Sequence, residues 1–463
     1  MTSPQPGTPT GDVDVQWLAA LIEEPSARGI AATVAALIRA GTIPSGTRLP
    51  TVRSLALQLG VSPATVSEAW SLLRRRRSVA GRGRAGTVVI GPPDVPHPRR
   101  FEEVGRHGSR LRHDLRLAVP DTALLPPLEA ALTAALRVED LNEYHRVPIT
   151  ERLADAVRPT WPFPPADLLA VNGGFDGLLL LCQTLVVTGD KVAVEEPTAP
   201  RLLDILDAVG AEVIPVPRDE RGPRPDALAD AVRRKPVLFI YQPHAHSPTG
   251  HSVDAARSAE LAAVLRGAEA LVIEDDGMAD LVPGPVQTLG TALPDRVVFL
   301  RSYSKSHGPD LRLAVLGGAA PPIERARVYR TFGSGWTSRI LQNCLAHLLT
   351  DPPTRTLVAA AGETYRNRRR ALAEALAARG VRTGGTEGLS LWVPVEDERS
   401  ALVTLAAHGV AVVPGGRYFA GPHTPFLRVA TSRLHEHVEE VADLLAFAAV
   451  EEHDSPQPTV VRG

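Results

Sequence analysis

The stretch from residue 115 to 330 constrains the fold more than any other part of the sequence. Short apolar runs alternate there with long segments rich in alanine and leucine, and most of the runs end at Gly, Pro or an acidic residue. The runs are "DLLAV", "KVAVEEP", "EVIPVP", "PVLFIYQP", "ALVIEDD", "RVVFLRS" and "LRLAVLGG". Alternation of this kind predicts a mainly parallel α/β sheet with candidate sites at the strand ends.

The sequence after residue 330 predicts a second, smaller domain. A long helical stretch runs through Tyr365, and the later runs "GLSLWVPV", "VAVVPGGRYF" and "FLRVAT" are typical of strands in an α+β domain. A chain of 463 residues is also too long for one hydrophobic core. We therefore expect two or three domains.

Charge is divided unevenly along the chain. Between Ser26 and Gly86 there are ten arginines, no lysine and one acid, Glu68, so this segment carries a net charge of +9. The whole chain has a formal charge of −2, which leaves −11 for the remaining residues. The division predicts a small module that binds a polyanion, joined to an acidic body.

Local signals within the basic segment predict three helices and a hairpin. The run "GIAATVAALIRAG" has helical apolar spacing and ends at Gly41. Two helices broken at Gly60 follow, and we expect Thr51 to cap the first and Ser62, followed by Pro63, to begin the second. The run "SVAGRGRAGTVVI" predicts a hairpin with a basic tip. Together these elements predict a winged helix-turn-helix.

Several side chains of this module are placed to contact DNA. The helix that begins at Ser62 presents small polar groups that can approach a major groove. Arg53 starts the preceding helix, where it can contact a phosphate or a base edge, and the arginines of the wing tip can follow the backbone or enter a minor groove. The predicted DNA contacts are Arg48, Arg53, Ser62, Thr65, Ser67, Arg82 and Arg84.

The motifs of this segment resemble those of a known family. "GTRLPTVRSLALQLGVSPATVSEAW", followed by "GRGRAGTVV", is similar to the GntR-type winged helix. The resemblance implies a double-stranded DNA operator as the partner. Pro63 and Ser67 stand where relatives often have arginine, so the resemblance does not imply which bases are recognised.

A proline-rich stretch from Gly91 to Asp114 has little periodicity and predicts a linker. The final residues, "EHDSPQPTVVRG", have the composition of a disordered tail. The expected organisation is a disordered tail at 1–14, the winged helix-turn-helix at 15–90, the linker at 91–114, a large domain at 115–330, a connecting helix with the small domain at 331–448, and a disordered tail at 449–463.

Composition and length of apolar runs indicate the cellular setting. There are two cysteines, Cys182 and Cys344, which suits a reducing compartment and excludes a disulfide framework. No apolar run is long enough to span a membrane, and the polar N-terminus is not a signal peptide. We therefore expect a cytoplasmic protein without a membrane segment, and we predict no metal site.

One lysine stands in an unusual setting, within "RSYSKSHGPDLRLAVLGG". Lys305 is flanked by serines and followed by Pro309, which sets a turn, and by Arg312. Elsewhere, "VNGGFDGLLLL" is a glycine turn that opens a helix, a ready site for an anion, and "LVIEDDGMAD" ends a strand in acids. A phosphate site beside a lysine amine, with an acid for a ring nitrogen, provides the parts of a pyridoxal-phosphate site.

From about residue 115 to 448 the chain resembles fold-type-I aminotransferases, and a GntR-type winged helix fused to such a body is similar to the MocR family of transcription regulators. The resemblance implies that Lys305 forms a Schiff base with pyridoxal phosphate and that Asp275 pairs with the pyridine nitrogen. It implies a homodimer, because the family's cofactor sites lie between subunits. The further implied cofactor contacts are Gly173, Gly174, Phe175, Ser247, Ser302, Ser304, Arg312 and, from the neighbouring subunit, Tyr144; Arg428 and Arg201 are implied for an effector or substrate carboxylate.

Three positions depart from the family pattern. Ser247 stands where relatives have an asparagine and Gly277 where they have a tyrosine, and both lost groups bind the cofactor's phenolic oxygen. Ala199 replaces a tyrosine that stacks on the ring. Losses of about 1 kcal/mol each predict binding weaker by roughly a hundredfold. His244 or His246 could supply replacement donors.

Three hypotheses follow. The favoured one is a DNA-binding regulator whose aminotransferase-like body senses pyridoxal phosphate or an amino-compound effector; we expect no enzymatic activity. The second is an active aminotransferase that carries a DNA-binding module, which Lys305, Asp275 and the two arginines permit. The third is a regulator with a degenerate, cofactor-free body.

Overall fold

The computed structural model describes residues 12–75, 78–81, 86–90, 98–102, 111–139 and 141–449. The chain divides into two compact units, Met1–His97 and Pro98–Gly463. Within the described residues, no helix has both the length and the apolar character needed to cross a membrane.

Within its described residues, the N-terminal unit has the three predicted helices and the antiparallel hairpin of a winged helix-turn-helix, together with a short first helix, Val15–Ala20, that was not predicted from the sequence. Its helices bury a common core around Trp70 and Leu55. The hairpin pairs Val79 with Val89. The elements are α1 (Val15–Ala20), α2 (Ala27–Arg39), α3 (Val52–Leu59), α4 (Pro63–Arg75), β1 (Val79–Gly81) and β2 (Thr87–Val89).

The predicted helix boundaries in this unit are confirmed by their capping contacts. The Thr51 hydroxyl accepts a hydrogen bond from the Ser54 amide at 3.1 Å and begins α3. Gly60 ends that helix with a φ of +66°, in the left-handed region that favours glycine. The Ser62 hydroxyl accepts from the Thr65 amide at 3.2 Å, and Pro63 is the first residue of α4.

Two short elements of the C-terminal unit lie inside the stretch expected to be a linker. They are α5 (Arg99–Glu102) and β3 (His113–Asp114). The second pairs in parallel with Val410–Ala411, almost three hundred residues later in sequence. The C-terminal unit therefore includes residues that were expected to belong to the linker ending at residue 114. This strand could not be predicted, because a pairing between segments so distant in sequence leaves no local pattern.

An eight-stranded sheet forms the centre of the C-terminal unit. Its order is β4-β11-β10-β9-β8-β5-β6-β7, and the neighbours from β10 to β6 are parallel. Strand β11 is antiparallel to both of its neighbours. The strands are β4 (Asp167–Val171), β5 (Lys191–Glu196), β6 (Glu212–Asp219), β7 (Gly222–Pro223), β8 (Leu238–Tyr241), β9 (Leu271–Asp276), β10 (Val297–Ser302) and β11 (Ala314–Gly318).

Hydrophobic clusters cover both faces of this sheet. Alternate residues of a strand face opposite sides, so Phe239 joins one cluster and Ile240 the other. The sheet is therefore buried on both faces, as the apolar runs predict. The helices that accompany it are α6 (Glu129–Ala135), α7 (Glu151–Val157), α8 (Gly174–Leu185), α9 (Pro200–Val209), α10 (Pro225–Arg233), α11 (Ala255–Arg266), α12 (Ala320–Arg330) and α13 (Arg339–Thr350).

The remaining elements build the smaller α+β part. A three-stranded sheet of order β12-β15-β14 packs with helices in a separate hydrophobic cluster, which Leu115 also joins. Leu345 of α13, in contrast, packs in the core of the large sheet. The domain boundaries expected at residues 115 and 331 therefore do not coincide with the division between these two hydrophobic clusters. The elements are α14 (Pro352–Ala377), β12 (Ser390–Pro394), α15 (Glu398–Ala407), β13 (Val410–Ala411), β14 (Val413–Pro414), β15 (Phe426–Ala430) and α16 (Val438–Ala449).

Candidate functional site

A cavity of about 330 Å³ lies at the carboxyl ends of the large-sheet strands β4, β5, β8, β9 and β10, among residues that end or follow these strands. This is the edge at which parallel α/β sheets usually bind ligands. The cavity brings together every predicted cofactor and effector residue except Tyr144. Those that line it are Gly173, Gly174, Phe175, Arg201, Ser247, Asp275, Ser302, Ser304, Lys305, Arg312 and Arg428.

One end of the cavity is rich in hydrogen-bond donors. Gly173 has a φ of +103° and precedes α8 without a side-chain cap, so backbone amides at the helix start are available to an anion. A Cβ built on Gly174 would lie 3.2 Å from the Ser302 Cβ, which shows how closely the turn approaches β10. The Ser302 and Ser304 hydroxyls are 3.1 Å apart, and Arg312 lies beside Gly173. This donor set fits a phosphate group.

A lysine and a carboxylate meet in the interior of the cavity. Asp275 accepts a hydrogen bond from the Gln242 amide nitrogen at 2.9 Å, and burial raises its pKa to about 6. Burial lowers the pKa of Lys305, which favours the neutral, nucleophilic amine. The Lys305 Nζ lies 3.8 Å from the Met278 Sδ, and a Cβ on Gly277 would lie 3.4 Å from the same nitrogen. These residues fit a ligand that has an aldehyde and a basic ring nitrogen.

Two further arginines face the cavity. Arg428 is 8% exposed and donates through one terminal nitrogen to the Arg116 carbonyl, while its Nε has no hydrogen-bond partner among the described residues. The Arg201 guanidinium lies over the Phe175 ring at 4.7 Å. Burial, together with the nearby charge of Arg312, lowers the pKa of Arg201. Each of these two guanidinium groups can bind an anionic group such as a carboxylate.

The positions that depart from the family pattern, Ala199, Ser247 and Gly277, also line the cavity. His244 and His246, which were considered as replacement donors, do not line it. The His246 Nδ1 lies 2.9 Å from the Thr249 hydroxyl, and its Nε2 lies 3.0 Å from the Pro197 carbonyl. His244 is buried, 3.6 Å from the Asp276 carboxylate. Replacement of the lost donors by these histidines is therefore not supported by the structure, because their side chains face other partners.

Two polar side chains of the cavity, Gln242 and Tyr418, were not predicted from the sequence. Gln242 donates to Asp275 and accepts a hydrogen bond from the Ser247 amide at 2.8 Å, so it holds two strand ends together. Its place at the end of the run "PVLFIYQP" is a weak signal for such a role. Tyr418 reaches the cavity from the smaller part of the unit, and its motif "GGRYF" carried no signal of a contact.

Tyr144 lies outside the cavity. Its side chain is 90% exposed and packs edge-to-face with Trp336, with ring centres 6.0 Å apart. A role toward the cofactor of a neighbouring subunit therefore stays a prediction.

The predicted DNA contacts lie on the N-terminal unit. Arg53 and Ser67 are exposed on α3 and α4. The Ser62 and Thr65 hydroxyls are 2.9 Å apart at the start of α4. Arg48 is also exposed, and its Nε lies 3.6 Å from the Asp12 carboxylate. Two of the predicted contacts, Arg82 and Arg84, lie outside the described residues.

The fold and the cavity together define a class, a winged helix-turn-helix unit joined to an aminotransferase-like body. The family model "Aminotransferase class I and II" matches residues 117–445, and "Bacterial regulatory proteins, gntR family" matches residues 26–89. The chain belongs to the aminotransferase class I and II family over the first of these ranges. As a whole it belongs to the MocR-type transcription regulators.

Individual relatives support this assignment. The vitamin B6 salvage pathway transcriptional repressor PtsJ of Salmonella typhimurium is 31% identical over 90% of this chain and 96% of its own length. The HTH-type transcriptional regulator TauR of Rhodobacter capsulatus is 28% identical over 86% of this chain and 90% of its own. The kynurenine aminotransferase structure of Pyrococcus horikoshii superposes with a TM-score of 0.69 at 19% identity, covers 78% of this chain and 99% of its own, and shows the shared fold.

Proposed function

We propose that this regulator binds pyridoxal phosphate in the cavity at Lys305 and that the bound cofactor, or an amino compound that joins it there, changes the affinity for operator DNA. The observation that carries the proposal is the gathering of Lys305, Asp275 and the phosphate-type donors in one cavity. PtsJ is named for vitamin B6 salvage, and pyridoxal phosphate is a form of that vitamin. A homodimer belongs to the same proposal.

Each group would have a distinct task. The glycine turn, Ser302, Ser304 and Arg312 would hold the phosphate, and Asp275 would pair with the ring nitrogen. Bound cofactor supplies an aldehyde that reacts with amines and a ring that accepts electrons. Lys305 offers its amine to that aldehyde, and Gln242 keeps the Asp275 carboxylate in position.

The three changed positions favour a sensor over an enzyme. Without the ring contacts at Ala199, Ser247 and Gly277, we expect affinity roughly a hundredfold below that of a complete site. An exchangeable cofactor can report its own concentration. The alternatives, an active aminotransferase and a cofactor-free body, are tested by the visible spectrum with added pyridoxal phosphate and then by turnover of amino donors.

Helix α9 connects the cavity with α5, the element of the C-terminal unit that follows the N-terminal unit in sequence. Its first turn carries Arg201, which lines the cavity, and its buried side carries Asp204. The Arg100 guanidinium of α5 contacts Asp204 at 3.3 Å and Asp207 at 2.6 Å. Helix α5 is the first element of the C-terminal unit, so a shift of α9 would act on the segment that leads to the N-terminal unit.

Arg100→Ala is expected to weaken the coupling between cofactor binding and operator affinity without weakening cofactor binding itself. The variant should keep the affinity for pyridoxal phosphate but reduce the cofactor's effect on operator affinity by about fivefold or more. Arg266→Ala, an exposed arginine at the end of α11, is the matched control and should change neither quantity. Fluorescence anisotropy with and without cofactor measures both, and an unchanged cofactor effect in Arg100→Ala would exclude this route.

Cofactor binding should also depend on pH through Asp275. Burial raises its pKa to about 6 in the free protein, and the ionised form binds the protonated ring nitrogen. Affinity should therefore be full above pH 7 and fall by about tenfold as pH is lowered from 7 to 5, because protonation of Asp275 competes with binding. Asp275→Asn should bind more weakly and lose this part of the pH profile. If cofactor affinity depends on pH in the same way in the wild-type protein and in Asp275→Asn, the proposed pairing of Asp275 with the ring nitrogen is wrong.

A further inference from the structure

We propose that Tyr418 determines ligand specificity in the cavity, where its phenol and the Arg428 guanidinium together bind the carboxylate of an apolar amino acid. This inference rests on the proposed function, since it treats the cavity as the sensor site. It adds the chemical class of the effector and a residue that the sequence motifs did not indicate.

The position of Tyr418 is fixed by its surroundings. It ends the short turn Gly415–Tyr418, is 4% exposed, and packs edge-to-face on Trp392 with ring centres 5.4 Å apart. Its backbone carbonyl accepts a hydrogen bond from the Thr198 amide at 2.8 Å, beside the position where Ala199 replaces an aromatic residue. The side chain lines the cavity, and its hydroxyl has no hydrogen-bond partner among the described residues.

A second unused donor lies next to it. The Arg428 guanidinium carbon is 5.9 Å from the Tyr418 ring centre, and the buried Nε of Arg428 has no partner within the described part of the chain. Burial raises the pKa of the Tyr418 phenol, so the hydroxyl stays protonated at neutral pH and can donate. A buried donor without an acceptor, such as the Arg428 Nε, is unfavourable, and a carboxylate has enough lone pairs to accept hydrogen bonds from both groups.

The apolar residues of the cavity lining indicate which kind of side chain the carboxylate-bearing ligand carries. Leu117, Val119 and Leu178 line the same cavity, and Ala199 leaves free the volume of a larger side chain. An apolar side chain on the ligand would bury surface there. The amino group of the same ligand would displace the Lys305 amine from the cofactor's aldehyde carbon, so one C–N bond forms as the other breaks and Lys305 leaves as a free amine. An apolar amino acid would therefore engage all three parts of the site.

The test compares L-leucine with 3-methylbutylamine, which has the same carbon skeleton without the carboxylate. Both are titrated against the full-length, cofactor-loaded protein and followed in the visible spectrum. In Tyr418→Phe the affinity for leucine should fall about tenfold, and the affinity for the amine should stay within about twofold. Tyr329→Phe removes a partly exposed hydroxyl away from the cavity and should leave both affinities unchanged.

The outcomes separate this inference from the proposed function. Equal weakening of leucine and amine in Tyr418→Phe, an unchanged leucine affinity, or no leucine response in the wild type would overturn the role of Tyr418 while the cofactor band remains. Absence of a cofactor band in the wild type would overturn the proposed function instead. Leucine binding would then be measured by calorimetry, where the same tenfold loss in Tyr418→Phe supports the inference and no loss overturns it.

Discussion

Lys305→Ala is expected to abolish the visible absorption band that the wild-type protein develops with pyridoxal phosphate. The band arises from the covalent bond between the cofactor aldehyde and an amine, and Lys305 places its amine in the cavity. Burial lowers its pKa, which increases the neutral fraction that reacts. Without this bond the cofactor is held by the phosphate cradle and Asp275 alone, and we expect it to be removed by dialysis. The measurement is an absorption spectrum before and after dialysis.

The matched control is Lys235→Ala, an exposed lysine that follows α10. It should develop the same band as the wild-type protein. A band that persists in Lys305→Ala would show that another amine reacts. No band in the wild-type protein would contradict both cofactor-based hypotheses and leave the cofactor-free body.

Arg53→Ala is expected to weaken operator binding by about tenfold or more and to reduce the slope of log affinity against log salt concentration by about 1. Arg53 is exposed near the start of α3, where the capping contact of Thr51 fixes the helix start. A contact to phosphate releases a counterion when it forms, which is why the salt slope reports it. The measurement is anisotropy over a range of salt concentrations, with a duplex selected by the wild-type protein from a random pool.

Arg39→Ala is the control for this experiment. Arg39 is also exposed and lies in the same unit, at the end of α2, but it is not among the predicted DNA contacts. It should change affinity little beyond the general effect of one positive charge. Equal losses in the two variants would mean that Arg53 acts through net charge, and the docking of α3 on DNA would then be wrong.

Much of the N-terminal unit could be predicted because its signals are local. The caps at Thr51 and Ser62 and the break at Gly60 act within one helical turn, so the sequence shows them directly. The cavity could be predicted in part for a related reason. Lys305 and Arg312 lie in one loop, and most of the strand ends that surround them belong to the adjacent parallel strands β5, β8, β9 and β10.

Other contacts depend on register and on packing between distant segments. Gln242 meets Asp275 because β8 and β9 pair Tyr241 with Glu274, which brings the following residues side by side. That register cannot be derived from either strand alone. Tyr418 enters the cavity through packing of the smaller part against the loop after β5. The orientation of His246 toward Pro197 likewise follows from tertiary packing.

The proposal on which the others depend is that occupancy of the Lys305 site controls DNA binding. The most direct measurement is the affinity of the wild-type and Lys305→Ala proteins for the same selected duplex, with and without saturating pyridoxal phosphate. We predict that the cofactor changes the affinity of the wild-type protein by about tenfold or more and leaves that of Lys305→Ala unchanged. Identical affinities of the wild-type protein in the presence and absence of cofactor would contradict the claim.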